Sequence, residues 1–319
     1  MKKKKVLVCG ATGFIGRNLI ESLAGRNEFE LYGTCFSSQP YNEPKIKFIR
    51  ADLRKDEDVN RIVAGMDIII QAAATTSGAK DTFNKPYYHV TDNAVINSLI
   101  FRSAHIHKVS HVVFFSCTTM YQSSDVAVKE TDFDANQEMY PNYFGVAWTK
   151  VYIEKMCEFY SRLGNTRFTV ARHSNIYGPY DKYDLERSHV FGATVTKVMT
   201  APERGKVVVW GAGEEERDLL YVSDMVKFVE LAIDKQQSKF ELYNVGCGSS
   251  ISVNDMVKKI IACSGKKVIV ENDLSRPSLK TKLYLDTTKV RNVLGWTPAV
   301  SLDEGIRKTI EWYRKNIKV

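Results

Sequence analysis

Three glycines stand in the run Gly10-Ala11-Thr12-Gly13-Phe14-Ile15-Gly16-Arg17, between the apolar Val6-Leu7-Val8-Cys9 and the helically spaced Leu19, Ile20 and Leu23. This is the pattern of a strand, a tight turn and a helix start, and the chemistry it suits is pyrophosphate binding. The first glycine permits the turn, the second lets the backbone approach phosphate, and the third lets helix and strand pack closely. The free N–H groups and positive dipole end of the helix then face the anion. A second signal lies in Thr34-Cys35-Phe36-Ser37-Ser38, the end of the next strand, which carries no acid. A carboxylate there suits the ribose hydroxyls of NAD and repels a 2′-phosphate. Its absence favours NADP over NAD, with Ser37, Ser38 or Arg17 as phosphate contacts. No arginine follows the strand, so both cofactors stay open.

The elements that must position this turn alternate. Strands are expected at 30–36, 46–49, 66–73, 109–115 and 166–171, with helices over 56–64, 90–107 and 143–163. Buried apolar strands alternating with helices call for a doubly wound parallel α/β sheet. Beyond His173 the texture changes: a loop over 175–181, a helix over 190–200, a strand over 206–210 and a charged turn over 211–218. The helix 224–235 and strand 242–245 could rejoin the sheet, while 253–264, 276–280 and a final helix 302–316 make a smaller α/β lobe. The expected organisation is a dinucleotide-binding unit of residues 1–173 joined by about 218–245, and a discontinuous lobe of 174–217 and 246–319.

Composition is that of a soluble globular chain: 319 residues, 44% apolar and 26% charged. No stretch reaches membrane-spanning length, and Lys2 to Lys5 lead into a strand that ends at once in glycine, against a signal peptide. The net charge of +8 gathers largely at the two ends, Lys2 to Lys5 and Arg307, Lys308, Arg314, Lys315 and Lys318. No aromatic-basic nucleic-acid motif accompanies it. The six cysteines form no C-x-x-C pair and no cluster with histidine, so reduced thiols in the cytoplasm are expected and no metal site.

Taken together, Gly10 to Gly16, Asp52-Leu53, Ala72-Ala73-Ala74, Ser116 to Tyr121, Lys150, Asn175-Ile176-Tyr177-Gly178-Pro179, the Arg217 segment and Leu294-Gly295-Trp296-Thr297-Pro298 resemble the extended short-chain dehydrogenase/reductase family. Members modify nucleotide sugars with NAD(P), and this order of motifs covers nearly the whole chain. The resemblance implies a Rossmann fold, Asp52 and Leu53 beside the adenine, Ala72 and Ala73 lining the cofactor, and a nucleotide diphosphate held by the small lobe. Ser188-His189-Val190 and Lys197 resemble the GDP-fucose synthase-like branch of 4-keto-sugar reductases, which favours a GDP-sugar. The resemblance also implies a homodimer through the helices near 90–107 and 143–163.

Family catalysis pairs a lysine with a tyrosine four residues earlier, on one helical face, so that the cation lowers the phenol pKa for proton exchange with the sugar. Here the lysine is Lys150, and four residues earlier stands Val146, which has no proton to exchange. Either this chain binds cofactor and sugar but transfers a proton poorly, or Tyr143, about one turn away, substitutes. The former is preferred. The usual catalytic hydroxyl position falls on Cys117, between Ser116 and Thr118, and Thr118 is favoured over Ser116 for orienting the C4 oxygen. Thr119 and Met120 replace the acidic pair of sugar dehydratases, which disfavours 4,6-dehydration.

His189 matches the branch's epimerisation acid, but Thr119 replaces its cysteine partner, leaving 4-keto reduction as the simpler expectation. For the diphosphate, Arg217 and Arg276 are the matching bidentate readers, with Asn175, Lys197 and Lys280 in support. The expected function is NAD(P)-linked reduction or epimerisation at C4 of a nucleotide-linked sugar. A non-catalytic nucleotide-sugar or dinucleotide sensor is the alternative.

Overall fold

The computed structural model describes residues 2–75, 87–185, 188–276 and 281–317. Its centre is a parallel sheet of β1 Lys4–Cys9, β2 Phe29–Cys35, β3 Ile46–Arg50, β4 Ile68–Gln71, β5 His111–Phe115, β6 Arg167–His173 and β11 Phe240–Val245. The strand order is β11-β6-β5-β4-β1-β2-β3. Alternation along each strand divides its residues between two faces. Val6, Val8, Val113, Phe115 and Ala171 pack with the Phe14–Leu23 and Val222–Lys235 helices. Leu7, Cys9, Val112, Phe114 and Val170 pack on the other face with the Asp56–Val63, Tyr87–Ile106 and Phe144–Leu163 helices.

The remaining strands are short: β7 Asn175–Tyr177 pairs with β10 Leu219–Tyr221, β9 Glu216–Arg217 with β12 Ile251–Ser252, and β8 Lys206–Trp210 with β13 Ile269–Asp273. Around them a separate core forms from Tyr177 of β7 and Val209 of β8 together with Phe191, Met256, Ile260 and Ile310, contributed by the Val190–Thr200, Val253–Ser264 and Leu302–Asn316 helices.

Several expected elements differ from those observed. Residues 175–177, expected as loop, form β7, because β10 lies alongside and satisfies their backbone groups. The strand expected over 66–73 is Ile68–Gln71 only, since Ala72 and Ala73 already leave the ladder toward the glycine turn. The strand expected over 166–171 runs on to His173, held by β11 through the pair Val245↔His173. Lys280 lies outside the described residues.

Candidate active site

The turn after β1 is built as its glycines require. Gly10 has φ +74°, and a Cβ there would lie 2.9 Å from the Ala73 backbone. A Cβ on Gly16 would lie 2.2 Å from the Gly10 carbonyl oxygen. Gly13, the N-cap of the Phe14–Leu23 helix, offers no side chain, so the leading N–H groups of that helix, beside Thr12, Phe14 and Ile15, are left for another acceptor. A cradle that Cβ atoms would fill, at an uncapped helix N-terminus, fits a dinucleotide pyrophosphate. Arg17 is stacked between the rings of Tyr41 and Tyr180, at 4.0 and 3.9 Å, and its Nε donates to Glu21. That placement engages both faces of the guanidinium on rings instead of leaving it beside Ser37 and Ser38.

At the end of β2, Ser37 and Ser38 are exposed and Phe36 is half exposed. Parallel pairing sets Arg50 of β3 opposite Cys35. The Arg50 guanidinium donates to the Phe36 carbonyl and, at 3.2 Å, to Gln39. Arg54 lies 5.4 Å from the Phe36 ring and donates to Asp52, whose carboxyl it holds below the ordinary pKa range. Asp52 thus carries its own cation, and Leu53 beside it is buried. No sequence motif marks Arg50, because the residue reaches this corner from the neighbouring strand.

At the end of β5 the candidate hydroxyls separate. Ser116 is buried and donates to Glu154 at 2.5 Å, while Glu154 pairs with Arg172 at 2.7 Å. Ser116 is therefore turned into a buried charge network, its proton engaged by Glu154. Cys117 Sγ lies 3.0 Å from Thr119 Oγ1, and Thr118 lines the cleft beyond the strand. Lys150 Nζ donates to the Phe115 carbonyl at 2.8 Å and sits 4.8 Å from the Phe114 ring. Burial lowers its pKa from the ordinary lysine value. Val146 stands one turn before it on the same helix, partly buried.

The cleft is open to solvent and is lined by Thr118, Tyr143, Asn175, Arg217 and Asp218, among others. Tyr143 ends a short 3₁₀ turn, Pro141–Tyr143, that leads into the Lys150 helix. Burial raises its phenol pKa, and Arg217 partly offsets that. Arg217 Nη1 donates to the Glu216 carbonyl and to Thr281 Oγ1 at 2.7 Å. Buried Asp218 accepts from the backbone N–H groups of Cys247, Gly248 and Leu285 at 2.7, 3.2 and 3.2 Å, tying two other segments to its own. Asn175 donates to the Asp218 carbonyl through its backbone at 3.0 Å.

A second basic patch lies on the small lobe. The half-exposed ring of Trp210 is approached by Lys197 Nζ at 5.8 Å and by the Arg276 guanidinium at 5.2 Å. Lys197 also donates to the Val208 carbonyl at 2.8 Å, and burial lowers its pKa. Trp210 is not among the residues expected at the site, although an aromatic residue at a strand end before a glycine turn was available as a signal. His189 is the exposed N-cap of the Val190–Thr200 helix. Among the described residues no cluster of His, Cys, Asp and Glu could hold a metal ion, and no helix is long and apolar enough to cross a membrane.

Residues 6–246 match the model described as the NAD dependent epimerase/dehydratase family. The chain is 29% identical to a GDP-L-fucose synthase of Azorhizobium caulinodans, with 98% of this chain and 97% of the relative covered. It is 26% identical to a GDP-L-colitose synthase of Yersinia pseudotuberculosis, with 97% of each covered. Among solved structures, UDP-glucose 4-epimerase of Thermotoga maritima with UDP-glucose superposes with a TM-score of 0.85 at 25% identity, covering 98% of this chain and 100% of that one. UDP-glucose 4-epimerase of Thermus thermophilus with NAD has a TM-score of 0.84 at 22% identity, with 98% and 100% covered, a likeness of fold.

Proposed function

The chain belongs to the NAD dependent epimerase/dehydratase family, and from that premise we propose that it is an NADP-linked reductase or epimerase acting at C4 of a nucleoside-diphosphate sugar. The observation that carries this reading is the cleft in which Thr118, Tyr143 and Arg217 converge beyond the end of β5, beside the strand end to which Lys150 is bonded. Bound cofactor would supply or accept the hydride. Lys150, its Nζ fixed on the Phe115 carbonyl, has further donors for the nicotinamide ribose. Thr118 orients the C4 oxygen, and Arg217 neutralises the diphosphate.

Proton exchange is the weak step. Val146 cannot hold a proton, and Tyr143, which lines the cleft with Tyr121 and Tyr140, is the phenol that leads directly into the Lys150 helix. Loss of a general acid or base typically costs about 10²- to 10⁴-fold, so slow turnover through Tyr143 is compatible with this reading. Arg50 beside Phe36 supports NADP, since a guanidinium suits a 2′-phosphate. Trp210 between Lys197 and Arg276 supports a nucleotide with a broad base, and the GDP-sugar names of the relatives point to guanine.

We further infer a homodimer. Tyr152, Phe159 and Leu163 form an exposed apolar stripe on the Phe144–Leu163 helix, next to Tyr88, Val95 and Ile106 on the Tyr87–Ile106 helix. Free thiols support a cytoplasmic setting. Val146 itself favours the second reading, a nucleotide-sugar or dinucleotide binder without turnover.

The test pairs this chain with Val146→Tyr on GDP-, UDP-, CDP- and dTDP-linked sugars and 4-keto sugars, using deuterated nicotinamide cofactor and mass spectrometry. Deuterium transfer by either protein supports the oxidoreductase. Binding without transfer in both supports the binder and overturns the enzyme.

A further inference from the structure

β6 ends at His173, beside β5 on one side and β11 on the other. Its imidazole is partly buried and meets the Phe115 ring edge-on, with centroids 6.2 Å apart. Lys150 is bonded to the carbonyl of that same Phe115. Nδ1 of His173 lies 2.8 Å from the Ser174 carbonyl oxygen. A carbonyl can only accept, so Nδ1 carries the proton. Burial pushes the imidazole pKa down to about 4; the Ser174 carbonyl opposes this, and Lys150 and His189 add to it. The ring is therefore neutral at pH 7, with a lone pair on Nε2. Among the described residues Nε2 makes no hydrogen bond.

In a sheet of this order a dinucleotide lies across the carboxyl ends of the strands, with its pyrophosphate over the turn after β1. The adenosine half takes the β2–β3 side, where Phe36, Arg50 and Leu53 lie. That leaves the other half to the ends of β4, β5 and β6. A nicotinamide ring there brings a carboxamide with two N–H donors, and a fixed acceptor sets which way the ring is turned. We propose that Nε2 of His173 accepts a hydrogen bond from the nicotinamide carboxamide and so fixes the rotation of the ring, a positioning role that rests on the cofactor reading above. Nothing in the sequence pattern marked His173, whose type is common at surface strand ends.

The experiment measures equilibrium binding of three probes to the full chain by calorimetry: NADPH, its 3-acetylpyridine analogue, and 2′-phospho-ADP-ribose, with the NAD series in parallel. The analogue replaces the amide by a methyl ketone and has no N–H to donate. The parent protein is expected to prefer NADPH over the analogue by about 5- to 10-fold, as one hydrogen bond gives. His173→Phe keeps a ring against Phe115 and should bring that ratio near one, with 2′-phospho-ADP-ribose affinity unchanged. His173→Gln, whose amide oxygen can accept, should restore part of the ratio. Retention of the full ratio in His173→Phe overturns the proposal, and so does a ratio near one in the parent protein, which needs no variant. Failure of the parent protein to bind any of the three probes overturns the cofactor reading itself, a result distinct from either.

Discussion

Glu154 and Arg172 meet in a buried ion pair, Oε2 to Nη2 2.7 Å, with both side chains about 5% exposed or less. The pair holds Ser116 through Glu154 and the Tyr121 hydroxyl through Arg172, so it anchors both ends of the segment that carries Cys117, Thr118 and Thr119. Removing one partner leaves an uncompensated buried charge, a change worth about 3–5 kcal/mol. Arg172→Met should lower the urea midpoint accordingly, and Glu154→Leu/Arg172→Met should lose less than the sum of the single variants. Additive losses would mean that the two charges are solvated independently.

Arg50 is the cation that parallel pairing delivers to the end of β2. Arg50→Ala should weaken NADP binding about tenfold, the scale of a charge-assisted contact to phosphate, and leave NAD within about twofold. Fluorescence titration with both reduced cofactors reads this directly, and equal weakening of the two would assign Arg50 to loop structure instead.

Gly16→Ala places a Cβ 2.2 Å from the Gly10 carbonyl, a backbone atom that cannot swing aside. The helix must move away from the turn, so the variant should lose cofactor binding and at least about 1–3 kcal/mol of stability. Gly25→Ala is the control, because its Cβ would meet only the Ser22 carbonyl at 3.4 Å. That variant should unfold within about 0.5 kcal/mol of the parent protein in the same denaturant series.

His111 sits in the core with Nε2 2.8 Å from Thr169 Oγ1, while Thr169 donates its own proton to Gln236. Nε2 therefore carries the imidazole proton, and Nδ1 is buried without a partner among the described residues. Burial pushes the pKa from 6.5 to about 3. The folded state thus binds fewer protons than the unfolded state between those values. The stability from this group is present above pH 6.5 and is lost progressively as the pH falls toward 3. His111→Gln should flatten that part of the stability profile, and an unchanged acid slope in urea melts would place the proton uptake elsewhere.

Much of the architecture was legible because its signals are local. The helix expected over 302–316 matches the observed Leu302–Asn316, announced by Ser301, whose side chain accepts from the Glu304 backbone three residues on; Ser252 caps the Val253–Ser264 helix from Asp255 in the same way, in a segment that the sequence bounds without assigning it a helix. The glycine turn is local in the same sense. What stayed hidden arrives across strands. Arg50 is remote from Cys35 in the chain but beside it in register, β7 exists only because β10 lies next to it, and Trp210 gains its two cations from a helix and a loop. Ser116 illustrates the converse, since its position in the motif suggested the cleft while a buried carboxylate, Glu154, draws its hydroxyl inward.

The Arg17 sandwich has a mechanical consequence. Tyr41 belongs to the β2–β3 connection and Tyr180 to the loop after β7, and both grip one guanidinium on the first turn of the helix that begins at Gly13. Asn18, one residue on, also donates to the Pro179 carbonyl at 2.9 Å. Arg17, Tyr41 and Asn18 belong to the sheet unit and Tyr180 and Pro179 to the loop after β7, so prising the two apart on this side means unstacking one ring, Tyr180, and breaking one hydrogen bond. The corner beside the glycine turn is thereby a fixed jamb, in which the first helix and the loop after β7 are held together by one stacked ring and one hydrogen bond.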